Sequence, residues 1–174
     1  MGSAVALLAM ALTSAGGPAV APGQMQPLWG LDGVYDPANP FARIIRGELP
    51  SSRILETDDV LVIVPLSQAS RGHVLVIPKC ECRTLAEVPP ERLTAVMTTL
   101  QRLMAAERRA FDPVGFNVRQ NNGAEAGQTV FHVHFHLIPR YAGEMLRLDE
   151  SVHAPRDQMD AVAAEVRAAL AEQP

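Results

Sequence analysis

Cysteine is nearly absent. The 174 residues hold two, Cys80 and Cys82, too few for a disulfide framework. On an extended chain an i, i+2 bridge would be strained. Cys-x-Cys is not the Cys-x-x-Cys redox spacing, and without a second ligand pair it is no zinc ribbon. The pair therefore predicts two thiols in or near a strand. A basic surplus is missing too: 15 Lys+Arg against 19 Asp+Glu give a formal charge of −4. That argues against a nucleic-acid polymer as partner, because such binding needs many phosphate-neutralising cations. A small anion held by a few local donors stays open. No charged side chain occurs before Asp32, and the apolar run Ala4 to Leu12 is too short to cross a bilayer, which takes roughly 20 residues. With Ala19-Val20-Ala21 behind it, the run fits a secretory signal without its basic n-region. It fits a plain N-terminal extension equally well. A hydrophobic content of 48% with 20% charged residues suits one compact domain.

The chain divides into an extension over residues 1–38, a folded domain over 39–141 and a C-terminal extension over 142–174. The Pro-, Gly- and Asn-rich stretch Pro22 to Pro40 reads as linker. Arg53 to Glu56 and Val60 to Val64 flank Thr57-Asp58-Asp59 and predict a hairpin. His73 to Pro78 is a third short strand, entered through Gly72. Pro89-Pro90 opens a long helix whose apolar residues recur at three- and four-residue steps from Leu93 to Phe111. Strands over Gly115 to Arg119 and Val130 to Ile138 follow, and an amphipathic helix over Asp157 to Leu170 ends the pattern. Strand runs with one inserted helix predict an antiparallel α+β sheet.

Three of the five histidines fall in His132-Val133-His134-Phe135-His136. On a strand they share one face, with Val133, Phe135 and Leu137 on the other. Three core histidines are not expected, since each ring would need a buried partner. The row therefore predicts a histidine-lined surface over an apolar core. A metal competes for it, because neutral imidazole is a common zinc ligand. However, His132 and His136 stand about 13 Å apart at the backbone of a regular strand, too far to share one ion. Asn121 to Thr129 just upstream is rich in Gly and Asn. Such a loop can turn backbone N–H groups toward an anion, here with the Thr129 hydroxyl beside His134.

The segment from Asn121 through His132-Val-His134-Phe-His136-Leu-Ile to Arg140 resembles the signature of the histidine triad (HIT) family, whose motif is His-φ-His-φ-His-φ-φ with φ apolar. Gly72 to Lys79 resembles the family's other hallmark strand. The resemblance covers about residues 39 to 141, most of the chain. It implies a five-stranded antiparallel sheet with one long helix plus a C-terminal helix, a homodimer sharing a ten-stranded sheet, and no cofactor. It further implies a nucleotide hydrolase cutting at an α-phosphate, on a phosphoramidate or a dinucleoside polyphosphate, in the cytoplasm unless residues 1–21 direct export. Residue by residue, His134 would be the nucleophile, with its Nδ1–H held by a backbone carbonyl. His132 and His136 would flank it, and His136 would touch the scissile phosphate or leaving group. Asn121 would bind the nucleotide, Gly127, Gln128 and Thr129 the phosphate, and His73 would lie in the pocket. Retention of His136, where a transferase branch carries Gln, favours hydrolysis.

The departures matter. Where many members hold a structural zinc, this chain has Asn39, Ala42 and Glu81 beside His132, which predicts no metal; Glu81 could face His132 instead. Pro65 stands where members often place a ribose-binding Asp. A nucleotide-binding module with little catalysis is therefore the alternative, and a metal enzyme built on the histidine row comes third. The amphipathic C-terminal helix is expected either to cap the sheet or to meet a partner subunit. No role is assigned to His153.

Overall fold

The computed structural model describes residues 31–145 and 153–172. The possible signal over residues 1–21 lies outside them. No helix among the described residues is long and apolar enough to cross a membrane. The elements run α1 (Pro40–Ile45), β1 (Ser52–Glu56), β2 (Val60–Val64), β3 (Val74–Pro78), α2 (Pro90–Phe111), β4 (Gly115–Arg119), β5 (Phe135–Arg140) and α3 (Arg156–Ala171). The strands form one sheet in the order β1-β2-β3-β5-β4, and every neighbouring pair is antiparallel. The expected α+β architecture is present, with one addition: α1 falls where the sequence read as the end of a linker and the start of the domain.

Local chemistry explains α1. The Asn39 side chain accepts from Ala42 N at 2.9 Å, and Pro40 occupies the first turn. A polar N-cap followed by proline is a strong helix start even for six residues. Phe41 from α1 packs on Leu61, Ile63, Leu75 and Ile77. The alternate residues Val60, Val62, Val64, Val74 and Val76 join Val133, Phe135 and Leu137 in the larger core beneath α2 and α3. β2 and β3 are thus buried on both faces, which is why neither alternates in polarity.

α2 ends at Asp112, whose left-handed backbone (φ 48°) lets its N–H reach Arg108 O. α3 caps the sheet: Met159, Val162, Ala163 and Val166 are buried in the same core as α2. Glu107 of α2 is fully buried, and neither of its carboxyl oxygens finds a hydrogen-bond partner among the described residues. Burial pushes its pKa up to about 9, so it is held neutral.

Two local expectations are corrected. Cys80 and Cys82 are joined by a disulfide rather than free. The chain bends there instead of running extended, which brings the two Cα atoms to 5.3 Å, inside the range a disulfide accepts. The last predicted strand begins at Phe135 rather than Val130. Ladder pairing to β3 starts only at Phe135, opposite Val76, because residues 131–134 spend their hydrogen bonds on a loop and on their own side chains.

Gly72 enters β3 at φ +83°, and a Cβ there would lie 2.8 Å from Phe111 Cδ2 and 3.1 Å from Pro139 Cγ. Both left-handed strain and a packed aromatic ring oppose a side chain. Gly72→Ala is expected to destabilise the fold by about 1–3 kcal/mol, read as a lower urea midpoint; an unchanged midpoint would refute the packing argument.

Candidate active site

A cleft of about 940 Å³ opens on the α1 face of the sheet. A single cross-strand row builds its floor: Arg119 of β4 lies opposite His136 of β5, His136 opposite Leu75 of β3, and Leu75 opposite Ile63 of β2. Directly opposed residues share a face, so the register alone brings Arg119 beside His136. Phe41 forms one wall and meets the His134 ring edge-on, with centroids 4.9 Å apart.

The alternation of the histidine segment survives the missing strand. Val133, Phe135 and Leu137 join the α2 core, while His134 and His136 face the cleft. The surface itself is not open. His132 and His134 are buried, and His73 is too. The objection to buried histidines is answered by partners, since every ring has one.

Those partners fix the protons. A carbonyl only accepts, so the 2.8 Å contact from His134 Nδ1 to His132 O puts the proton on Nδ1. This is the bond the sequence reading expected, and it leaves the Nε2 lone pair of His134 unshared among the described residues. Ala69 N donates to His73 Nδ1 at 3.1 Å, so the proton of His73 sits on Nε2 and is donated to His136 Nδ1 at 2.9 Å. His136 must then carry its own proton on Nε2. Lone pair and donor stand side by side, on rings whose centroids are 5.0 Å apart.

Burial disfavours the charged form of all four rings. His73 and His132 are pushed down to about 4 and His136 to about 3, while His134 is lowered with its carbonyl bond opposing the shift. Each ring is neutral near neutral pH, as the donor assignments require.

The cleft collects His73, Asn121, Thr129, His134 and His136. His132, Gly127 and Gln128 do not line it. His132 is fastened behind the site: its Nε2–H donates to Pro78 O at 2.9 Å and its Nδ1 accepts from Tyr35 OH at 2.8 Å. Glu81 is exposed and is not that partner. Gln128 is a buried strut that donates to Arg83 O and Val130 O and accepts from Gly123 N. Gly127 O accepts from Asn121 Nδ2. The loop amides expected to converge on phosphate are spent within the loop: Gly127 N bonds Ala124 O, and Gln128 N bonds Gly123 O. The short 3-10 turn over Ala124–Ala126 causes this, by folding the loop onto its own carbonyls.

A zinc ion does not fit behind the row. Both His132 nitrogens are engaged, Asn39 caps α1 and the two sulfurs are joined. Among the described residues no three His, Cys, Asp or Glu side chains are placed so that they could hold one metal ion. Sequence reasoning passed over Arg119, Phe41, Tyr35, His153 and Arg156. Arg119 had a signal in the strand pattern just before Asn121. Phe41 and Tyr35 had none beyond the unexplained burial of β2 and β3.

The family model for the HIT domain matches residues 46–143. The chain is 37% identical over 126 residues to adenylylsulfatase HINT3 of Arabidopsis thaliana, covering 72% of this chain and 64% of that protein. It is 41% identical over 105 residues to adenosine 5'-monophosphoramidase HNT1 of Saccharomyces cerevisiae, covering 60% of this chain and 64% of that one. A crystal structure of a Hit-like protein from Bartonella henselae superposes with a TM-score of 0.74 at 39% identity, over 78% of this chain and 98% of that one. A five-stranded antiparallel sheet presenting His134 and His136 of a histidine row to a cleft defines the class. The chain belongs to the HIT family.

These groups set the pH dependence of folding. The unfolded chain takes up protons on its histidines below about pH 6.5 while the folded rings stay neutral, so stability falls as pH drops from there. Glu107 works oppositely: above about pH 4.5 the unfolded carboxyl ionises and the folded one does not until about 9, so stability falls as pH rises. Urea midpoints against pH are expected to peak at about pH 7, and Glu107→Gln should flatten the alkaline limb. A profile without a maximum would contradict the assignments.

Proposed function

We propose that the chain is a nucleotide hydrolase that cleaves at an α-phosphate through a nucleotidyl-His134 intermediate, on phosphoramidates or dinucleoside polyphosphates. The observation that carries this is the bond from His134 Nδ1 to His132 O, which commits one nitrogen and turns the other, unprotonated, toward the cleft. The names of HINT3 and HNT1 support hydrolysis of adenylyl compounds as the chemistry of such a site.

The Nε2 lone pair of His134 forms a P–N bond as the bond from phosphorus to the leaving group breaks, and its electron pair leaves with that group. The ring keeps its Nδ1 proton and becomes cationic, and the His132 carbonyl stabilises the charge. His136 Nε2–H, the Thr129 hydroxyl, the Asn121 amide and Arg119 supply donors for the phosphoryl oxygens or the leaving group. Water then attacks phosphorus, the P–N pair returns to Nε2, and the water's proton passes to solvent. Positioning falls to residues behind the cleft: His132 sets the His134 backbone, His73 the His136 proton, and Gln128 with Gly127 the loop bearing Thr129. No step needs a metal or cofactor, and the ligand is a small nucleotide rather than a polymer.

The internally satisfied loop amides favour the second reading, a nucleotide-binding module with little turnover, because they withdraw oxyanion donors from the cleft. Acid quenching of the protein with adenosine 5'-phosphoramidate, followed by mass spectrometry, separates the two. A nucleotidyl adduct on His134 and at least about a thousandfold loss of turnover in His134→Ala are expected. Tight binding without monophosphate release would transfer the conclusion to the binding module.

The same reading includes a homodimer. β4 is an edge strand with Val118 and its neighbour Val114 exposed at 48% and 73%, an unpaired row suited to continuing a sheet. Sedimentation should give twice the chain mass; a monomer at high concentration would exclude it.

A further inference from the structure

The cleft extends well beyond the histidines, and its far wall is made by a segment outside the matched domain. Ala154 N donates to Leu66 O at 2.8 Å. Ser52 Oγ donates to Asp160 Oδ1 at 2.6 Å, and Arg156 Nη1 reaches Ser52 Oγ at 3.4 Å. Met159 is buried in the core. These ties hold the start of α3 against β1 and the end of β2, so His153 and Arg156 line the cleft as part of a fixed wall.

The sheet gives the spacing. The row from His136 through Leu75 and Ile63 ends at Arg53 of β1, next to Ser52. Three strand spacings separate β5 from β1, about 14 Å. Ser52 pairs with Val64 and turns to the α3 side of that edge, so Arg156 borders the cleft from around its β1 end, while Arg119 borders the β4 end beside His136.

The lining chemistry at that end is unusual for a sugar. Among the described residues no Asp or Glu lines the cleft. Among the described residues no carboxylate lies within ion-pair range of Arg156, and its hydrogen bond goes to the Ser52 hydroxyl, which in turn donates to Asp160. A ribose diol is ordinarily recognised by a carboxylate acceptor. A nearby Arg instead accommodates a ribose that carries phosphate, through a bidentate charge-assisted pair.

We infer that Arg156, with His153, forms a second anion subsite, and that the cleft selects nucleotides bearing a phosphate on the ribose in addition to the 5'-phosphoryl group facing His134. The inference rests on the proposed function for the orientation of the nucleotide. It deepens that reading by naming the substrate class.

Binding and turnover are measured separately on the full chain, so that the two proposals fail separately. Calorimetry compares adenosine 5'-monophosphate with adenosine 3',5'-bisphosphate and adenosine 2',5'-bisphosphate. At least one bisphosphate is expected to bind about tenfold or more tightly than the monophosphate, as a charge-assisted bond would give. Arg156→Ala should bring that ratio close to one, and Arg156→Lys, a charge without the fork, should retain part of it. Equal affinities in the unaltered chain, or a preference that survives Arg156→Ala, would overturn the subsite. Absence of a His134 adduct alongside an Arg156-dependent preference would overturn the hydrolase and leave the subsite standing. Arg156 is exposed, and thermal melting of the variants checks that the fold is retained.

Discussion

A single hydrogen bond, from the His134 ring to the carbonyl of His132, organises the chemistry of this protein. Imidazole offers two nitrogens of similar basicity, and a ring free to exchange its proton between them would present a lone pair only part of the time. Tying Nδ1 to a backbone oxygen two residues away removes that freedom. The carbonyl is itself held in place by the His132 ring, which is anchored to Pro78 O and Tyr35 OH. The geometry of the His134 ring therefore depends on contacts made at the back of the sheet, away from the cleft.

Burial supports the arrangement electrostatically. Rings withdrawn from water resist protonation, so four histidines can sit together without mutual repulsion. The bond between His73 and His136 exploits this neutrality: two cationic rings could not make it, because neither would offer a lone pair.

Much of this was legible beforehand because it depends on short-range pattern. Alternation in His132 to Leu137 placed the rings on one side and the apolar residues on the other, and a three- to four-residue apolar period marked α2 and α3. The failures share a cause. The bend that joins Cys80 to Cys82, the 3-10 turn that absorbs the loop amides and the ring of His132 turned away from the cleft each depend on a local departure from the regular element assumed. Helix α1 left a trace that went unread: two continuous apolar strands, each needing cover on both faces, announce an additional layer.

The sequence alone determined which residue types were available and in what local order: the histidine row, the core faces and the scarcity of net positive charge. Tertiary structure decided their roles, because a proton position or a cleft wall depends on partners brought from far along the chain. His73 meets His136 across 63 residues, and Tyr35 meets His132 across 97. Arg156 reaches β1 across 104. No local pattern encodes such meetings; they exist only once strand register and helix docking have fixed where each side chain lies.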